Sequence, residues 1–276
     1  MARFARPFAC LCSLLLILAG ASVVRAGTWE GPLVNICDDG AEWPPYSFYQ
    51  RVDGAPTRTV VGFSVDVIDH IFAKRNIPWK LSLVPWKRCM HEVAKGERYH
   101  MLLSAGRNPQ RNRTYLVSEP YYQMHTSYLY SKKHHPRGLS IAGREELKKY
   151  RVCGIQGYNY IVFGLSEDEI DTGSADYDSL VKKLLNGRCE LSVDRLEILM
   201  GFKAIGKEFI VHPDLGFRIV PGEPAEPFHM MFTKSDLGHR LKRIVDDGIK
   251  ELQASGELDA MMRKYDLFIA PPQSQQ

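Results

Sequence analysis

The chain has 276 residues, of which 45% are hydrophobic and 25% charged, and its formal net charge is +4. This composition is typical of a folded globular protein of one or two domains and excludes a disordered chain. A nucleic-acid binder would need a basic patch. The best candidate, Lys132-Lys133 beside His134-His135, is interpreted as a solvated loop.

Residues 1–26 are typical of a cleavable secretory signal. Arg3 and Arg6 precede an apolar run over 8–24, and Val24-Arg25-Ala26 places small residues where a signal peptidase reads. The alternative, a membrane anchor, is weaker because polar residues and glycine interrupt the run, which is shorter than the ~20 residues that span a bilayer. Without this segment the formal charge falls to +1.

The cysteines support export. Two leave with the signal, and four remain: Cys37, Cys89, Cys153 and Cys189. An even number of cysteines in an exported protein favours disulfides, and the absence of a C-x-x-C spacing gives no support to a redox motif or a zinc knuckle.

The first half of the mature chain alternates strands and helices. Apolar runs predict strands at 33–37, 60–63, 80–84 and 101–103. Helical spacing predicts helices from Ser64 to about 75 and from Trp86 to Gly96. Strand–helix alternation of this kind indicates a parallel α/β sheet.

The pattern restarts near residue 145, which indicates a second α/β unit. Strands are predicted at 151–155 and 189–193, with helical segments at 145–149, 180–185 and 195–202. An apolar stripe over 237–252, which contains Gly248, predicts a long helix, and a last helix follows near 261–265. Residues 269–276 are predicted to be a disordered tail.

Ligands of open α/β sheets bind beyond the carboxyl ends of the strands. The predicted strand ends carry Gly40–Trp43, Trp86, Ser104–Arg107, Gly157–Asn159 and Asp194. A ligand site is therefore predicted from these segments.

Two catalytic motifs are incomplete. His91-Glu92 lacks the second histidine of a zinc-protease helix, and the P-loop-like spacing from Gly201 to Lys207 lacks the Ser or Thr that binds magnesium. Neither motif therefore supports a zinc site or a phosphate-binding loop.

Four stretches resemble the family-3 solute-binding proteins, the periplasmic receptors of polar-amino-acid ABC importers. The similarity covers nearly all of residues 32–268. Its motifs are Trp43-Pro44-Pro45-Tyr46-Ser47-Phe48, Gly62-Phe63-Ser64-Val65-Asp66-Val67, Asn108-Pro109-Gln110-Arg111 with Ser118-Glu119-Pro120-Tyr121-Tyr122, and Gly256-Glu257-Leu258 before Lys264-Tyr265.

The resemblance implies a type II periplasmic-binding fold, with two α/β lobes joined by two crossover strands. Lobe one would comprise residues 27–125 with 231–268 returning to it, and lobe two residues 126–230. The ligand would bind between the lobes, which close by hinge motion. The expected protein is a periplasmic monomer that delivers its ligand to an inner-membrane ABC permease.

The same resemblance assigns roles to individual residues. Arg111 falls on the arginine that grips an α-carboxylate, for which a planar guanidinium is suited. Asp194 falls on the acid that takes the α-ammonium. The turn Gly157, Tyr158 and Asn159 would complete the carboxylate site through backbone amides. The remaining implied ligand contacts are the aromatic walls Trp43 and Trp86, with Tyr46 and Ser104 beside them.

Alternatives remain for these roles. Arg111 could be a surface residue in a cluster with Arg107 and Arg113, Asp194 could be a helix N-cap, and Trp86 could be structural. Asn108 and Gln110 depart from the family pattern, which has Thr and Glu there.

The resemblance implies a solute-binding protein for a small zwitterion, an amino acid or a relative. Such a protein is expected to need no metal or cofactor and to perform no reaction. One alternative is an enzyme similar to cyclohexadienyl dehydratase, with Glu42 or Asp194 as the acid or base. A second is a sensory module that presents its ligand to a membrane receptor.

The two-lobe topology also implies disulfide pairing. Four cysteines allow three connectivities. Links across the lobes would lock the hinge, so the pairs Cys37–Cys89 and Cys153–Cys189, each within one lobe, are expected.

Overall fold

The structure is a computed structural model that describes Met1 and residues 29–267. The predicted cleavage site and the predicted tail at 269–276 lie outside the described residues, as does all but Met1 of the predicted signal. Within residues 29–267, no helix is both long and apolar enough to cross a membrane.

The described chain alternates short strands and helices, as predicted. The strands are β1 (Val34–Asp39), β2 (Phe48–Val52), β3 (Ala55–Val61), β4 (Trp79–Val84), β5 (Met101–Gly106), β6 (Leu116–Val117), β7 (Tyr122–Met124), β8 (Thr126–Ser131), β9 (Val152–Ile155), β10 (Ile170–Ser174), β11 (Leu191–Arg195), β12 (Leu215–Ile219) and β13 (Glu226–Phe232). The α-helices are α1 (Phe63–Ala73), α2 (Trp86–Lys95), α3 (Pro109–Thr114), α4 (Tyr177–Leu185), α5 (Leu196–Gly201), α6 (Asp236–Ser255) and α7 (Glu257–Lys264), and 3-10 turns occur at 144–149, 161–163 and 202–205.

The strands form two main sheets. The first has the order β4-β1-β5-β13-β6, with β7 also paired to β13, and the second has the order β10-β9-β11-β8-β12. We call residues 29–124 and 226–267 lobe one, and residues 126–219 lobe two. The chain crosses between the sheets at His125 and again between Ile219 and Glu226.

The return to the first sheet starts earlier than the predicted residue 231. β13 begins at Glu226 and pairs antiparallel with β5 and β7. The first sheet therefore gains one antiparallel strand, β13, from a distant part of the chain. The predicted lobe boundaries themselves stay predictions.

Most of the strands that were predicted from the sequence are parallel strands. β1, β4 and β5 are mutually parallel, and so are β9, β10 and β11. β5 and β9 are buried throughout and mainly apolar, as expected for parallel strands with both faces covered, whereas β4 and β10 are only partly buried. Five of these six strands were predicted from the sequence. The strands that were not predicted are β10, the short strands β6 and β7, the antiparallel strands β8, β12 and β13, and the hairpin β2–β3 apart from its end.

Gly248 inside α6 has a packing reason. A Cβ atom at this position would lie 2.6 Å from a side-chain carbon of Ile71 on α1. The glycine therefore lets α6 approach α1 closely, which offsets its cost of roughly 1 kcal/mol in a helix.

The two predicted disulfides are present. Cys37–Cys89 links β1 to α2 with a Cα–Cα distance of 5.7 Å, and Cys153–Cys189 links β9 to the segment before β11 at 5.8 Å. Each bond lies within one lobe, so the expected connectivity is confirmed and neither bond restricts motion between the lobes.

Candidate functional site

A cavity lies between the two lobes at the carboxyl ends of the central strands. It holds about 480 Å³ of empty space, its opening to solvent included. Its lining residues are Asp38, Asp39, Trp43, Trp86, Ser104, Gly106, Arg111, Tyr158, Asn159, Tyr160, Phe163, Val193, Asp194, Arg195, Glu226 and Phe228.

Arg111 enters the cavity from α3 of lobe one and is only 7% exposed, so it is not a surface residue. Its Nη1 donates to the Gly106 carbonyl at 2.9 Å and its Nη2 to the Gly157 carbonyl at 3.4 Å. Its guanidinium lies 5.7 Å from the Trp86 ring centroid. Burial lowers the pKa of Arg111 to about 10, so it stays cationic at neutral pH.

Asn108, one of the departures from the family motif, holds Arg111 in place. It is the N-cap of α3, and its Oδ1 accepts a 2.7 Å hydrogen bond from the Arg111 amide. Its Nδ2 donates to Oδ1 of Asn159 at 3.2 Å, across the cleft. An asparagine can make both contacts because its side chain is acceptor and donor at once.

Asp194 enters the cavity from β11 of lobe two and is 4% exposed. Arg195 occupies the N-cap position of α5, so the N-cap interpretation of Asp194 is wrong by one residue. Its Oδ1 accepts from the Arg195 amide at 2.7 Å, whereas Oδ2 is buried without a hydrogen-bond partner. Burial raises the pKa of Asp194 to about 6, although the nearby Tyr177 hydroxyl acts in the opposite direction.

Two further acids, Asp38 and Asp39, lie at the end of β1 and were missed as site residues. Burial raises the pKa of Asp38 to about 7 and that of Asp39 to about 6. The strand-end rule that selected Gly40–Trp43 could have found them, had it been applied to the last residues of the strand itself.

Neutral donors hold both carboxylates. Asp38 accepts hydrogen bonds from the Ser47 hydroxyl at 2.6 Å and from the Asp39 amide at 3.0 Å. Asp39 accepts from the Ala41 amide at 2.9 Å and from the Tyr158 hydroxyl at 2.6 Å. The two acids are therefore fixed in position without being neutralised by a cation.

Ser104 links the cavity to a buried hydroxyl network. Its Oγ lies 3.3 Å from Oγ of Ser64, which is 2.7 Å from the Tyr121 hydroxyl. The Ser104 hydroxyl also lowers the pKa of Asp38, against the larger effect of burial. Ser104 thus lines the cavity, as expected, and supports the carboxylate beneath it.

Aromatic rings form much of the wall. Trp43 and Trp86 line the cavity as expected, and Trp43 meets Tyr158 edge-on with centroids 5.1 Å apart. Nε1 of Trp43 is buried without a partner. Tyr46 does not line the cavity: it is 1% exposed and stacks on Tyr122 at 4.1 Å within lobe one.

The turn at Gly157 was expected to offer backbone amides to a carboxylate, and its contacts in the structure are different. Gly157 has φ +84°, which favours glycine, and its carbonyl rather than its amide faces Arg111. The Tyr158 amide donates to the Ile155 carbonyl at 3.3 Å. Gly157 is not among the lining residues, whereas the side chains of Tyr158 and Asn159 are.

A buried ion pair, Arg195–Glu226, also lines the cavity and was not predicted. Arg195 comes from β11 of lobe two, and Glu226 from the start of β13 in lobe one. The Arg195 guanidinium lies 4.4 Å from the Phe163 ring centroid and 5.8 Å from that of Phe228. The pair is neutral overall and joins the two lobes.

The comparisons with known proteins agree with this architecture. The model of the bacterial extracellular solute-binding proteins, family 3, matches residues 36–268. No curated protein sequence matches the chain.

Solved structures share the fold at low sequence identity. The substrate-binding protein of an amino acid ABC transporter has a TM-score of 0.68 and 20% identity, over 85% of this chain and 99% of that one. ArtJ of Geobacillus stearothermophilus, an arginine-, lysine-, histidine-binding protein, has a TM-score of 0.66 and 18% identity, over 88% and 97%. AncCDT-1, an ancestral amino acid-binding protein and precursor of cyclohexadienyl dehydratase, has a TM-score of 0.63 and 16% identity, over 84% and 95%.

Identities this low show the fold alone, but the family model matches most of the sequence. The chain therefore belongs to the bacterial extracellular solute-binding proteins of family 3, and its two α/β lobes have the type II periplasmic-binding fold.

Proposed function

We propose that the protein captures a small zwitterionic solute, an amino acid or a relative, between its lobes and delivers it to an ABC permease. One observation carries the proposal. Arg111 of lobe one and Asp194 of lobe two are both buried and line a single cavity. A ligand with one negative and one positive group can therefore bridge the two lobes.

Arg111 is the proposed carboxylate site. A guanidinium has five N–H donors, and the two hydrogen bonds to the Gly106 and Gly157 carbonyls leave donors for a carboxylate. Its guanidinium carbon lies 5.7 Å from the centroid of the Trp86 ring, within the range of a cation–π contact. Charge-assisted hydrogen bonds in such a buried setting are strong.

Asp194 is the proposed ammonium site. Its Oδ2 makes no close hydrogen bond within the described residues, and only the neutral Tyr177 hydroxyl lies nearby, so this buried acceptor can take a donor from a ligand. A bound ammonium would supply that donor and lower the pKa of Asp194 from about 6. The charge of the aspartate would then be compensated within the cavity.

Transport is proposed from the family and the neighbouring structures. The solved relatives include the substrate-binding protein of an amino acid ABC transporter. The predicted secretory signal supports a periplasmic location, where such a receptor would meet its permease. Closure of the lobes around the solute would present both lobes to the permease in one arrangement.

The enzyme alternative has one supporting observation. The pKa values of Asp38, Asp39 and Asp194 are raised to between about 6 and 7, which is a property of catalytic acids and bases. Glu42, the other acid considered, is not among the lining residues and forms an ion pair with Arg51. Of the two acids considered from the sequence, only Asp194 lines the cavity, where Asp38 and Asp39 are further candidates for an acid or base.

A thermal-shift screen against amino acids, amines and small carboxylates tests the proposed function. A ligand at 100 times its Kd stabilises a protein by about 2.7 kcal/mol. The best ligand is then titrated calorimetrically against the wild type, Arg111→Ala and the control Arg113→Ala, which changes an exposed arginine on the same helix.

We expect Arg111→Ala to weaken binding of a carboxylate ligand by about 10- to 100-fold, and Arg113→Ala to leave it unchanged. Equal affinities in all three proteins would refute the assignment of Arg111. Turnover of prephenate or arogenate, followed by absorbance, would favour the enzyme.

A further inference from the structure

We propose that the solute carries a second cationic group, so that its net charge is positive, and that Asp39 binds this group with Asp38 beside it. This inference rests on the proposed function, because it assumes that Arg111 and Asp194 hold the carboxylate and the first cation. It assigns the class of solute: a basic amino acid or a compound of the same charge pattern.

The charges that line the cavity do not balance. Arg195 and Glu226 form an ion pair and cancel each other. The remaining charged groups are one cation, Arg111, and three acids: Asp38, Asp39 and Asp194. A simple zwitterion adds one charge of each sign and leaves this imbalance unchanged, whereas a solute with two cationic groups reduces it.

No cation of the described residues compensates Asp38 or Asp39. Their hydrogen-bond donors are the Ser47 and Tyr158 hydroxyls and two backbone amides, all of them neutral. Asp38 is 1% exposed and Asp39 is 5% exposed, so bulk water does not stabilise their charges well. Uncompensated buried carboxylates at the wall of a ligand cavity are a site for a cation that arrives with the ligand.

Asp39 is better placed than Asp38 to contact this cation. Asp38 accepts hydrogen bonds from Ser47 on one oxygen and from a backbone amide on the other, inside lobe one. Asp39 lies at the junction of the lobes, where Tyr158 reaches it from lobe two. Each carboxylate oxygen can accept a second hydrogen bond, so Asp39 retains acceptor capacity for an ammonium or guanidinium.

Aromatic rings beside Asp39 suit a cation as well. Tyr158 is hydrogen-bonded to Asp39, and the Trp43 ring meets Tyr158 edge-on. Both rings line the cavity. The faces of such rings attract ammonium and guanidinium groups, which adds to the attraction of the carboxylates.

The same charges disfavour an acidic solute. A second carboxylate on the ligand would enter a cavity in which three aspartates face one free arginine. Burial raises the pKa values of Asp38 and Asp39, and a bound cation would lower them again by favouring the charged carboxylates.

A set of matched ligands tests the inference by calorimetric titration at pH 8. L-norleucine lacks the side-chain ammonium of L-lysine, and cadaverine lacks its carboxylate. L-glutamate replaces the side-chain cation with an anion. These ligands are titrated into the wild type, into Asp39→Asn, and into Asp69→Asn as a control, since Asp69 is an exposed acid of α1.

We expect the wild type and Asp69→Asn to bind L-lysine about 10- to 100-fold more tightly than L-norleucine. In Asp39→Asn this ratio should fall toward one, because the amide keeps the shape of the side chain and loses its charge. Norleucine should bind this variant at least as well as the wild type.

The outcomes separate the two proposals. Norleucine or glutamate binding the wild type as tightly as lysine, or an unchanged ratio in Asp39→Asn, overturns the inference, and so does the absence of lysine binding. Cadaverine binding as tightly as lysine, with the ratio in Asp39→Asn reduced as expected, supports the second cation site and refutes the proposed carboxylate role of Arg111.

Discussion

The hydroxyl of Tyr158 in lobe two donates a 2.6 Å hydrogen bond to Oδ2 of Asp39 in lobe one. Other contacts cross the cleft nearby: Arg111 donates to the Gly157 carbonyl, and the side chain of Asn159 donates to the Arg107 carbonyl at 3.2 Å. The closed arrangement is thus held partly by direct contacts between the lobes. A bound solute adds to these contacts rather than supplying all of them.

Tyr158→Phe should weaken ligand binding by about 3- to 30-fold, because it removes one hydrogen bond that forms only when the lobes close. The measurement is calorimetric titration together with small-angle scattering of the ligand-free protein, which should show a larger radius of gyration. Tyr128→Phe is the control, since the Tyr128 hydroxyl bonds to the Leu139 carbonyl within lobe two. Equal effects of the two variants on affinity would contradict a role in closure.

Asp38→Asn should stabilise the ligand-free protein at pH 8. The pKa of Asp38 rises from 3.8 when unfolded to about 7 when folded, so the folded state binds more protons between these values and the wild type loses stability as the pH rises from 4 to 7. Asparagine is neutral at every pH. Its amide can donate a hydrogen bond to the Ser47 hydroxyl, which can rotate to accept it.

Denaturant unfolding measures this effect. We expect the variant to gain about 2–4 kcal/mol over the wild type at pH 8 and little at pH 4. A variant that is less stable than the wild type at both pH values would contradict the expectation that the charge of Asp38 lowers the free energy of unfolding.

Affinity for L-lysine should rise with pH between 5 and 7. Asp39 and Asp194 have pKa values of about 6 in the empty cleft, and each must lose its proton to bind a cation. Each such group changes the affinity by at most about tenfold per pH unit below its pKa. Titrations across this range should show the affinity for lysine rising more steeply with pH than the affinity for norleucine, because norleucine has one cationic group and needs only Asp194. Equal slopes of affinity against pH for the two ligands would argue against a role of Asp39.

Replacing Cys153 and Cys189 together with serine should cost about 4 kcal/mol of stability, because this disulfide closes a segment with a sequence separation of 36. Ligand affinity at 20 °C should change little, since the bond lies within lobe two. Thermal unfolding and calorimetry on the same preparation measure the two effects. A large loss of affinity in a folded double variant would mean that the bond also supports the cavity.

Much of the site could be predicted because the ends of strands can be recognised from a short stretch of sequence. Arg111 and Asp194 lie next to recognisable motifs or strand ends, and both line the cavity. Tyr46 shares the motif of Trp43 but points into the core, where it stacks on Tyr122. A motif gives the position of a residue along the chain, whereas the direction of its side chain depends on the turn and the packing around it.

Other features depended on distant contacts. Glu226 opens β13, which pairs with β5, more than 100 residues earlier in the chain. No local pattern indicates that this glutamate meets Arg195 from the other lobe. Asp38 and Asp39 look like the polar end of an apolar strand, and their burial becomes evident only when lobe two covers them through Tyr158.

The sequence by itself determined the α/β alternation, which follows from periodicity, and the family, which follows from motifs in order along the chain. The disulfide partners within each lobe, and the arginine and aspartate predicted to hold the ligand, were implied by the resemblance to that family. The tertiary structure alone decided the charge balance of the cavity, in which Asp38 and Asp39 join Asp194 against one free arginine. The electrostatic energy of a site depends on distances and burial across both lobes, and neither is written in the local order of residues.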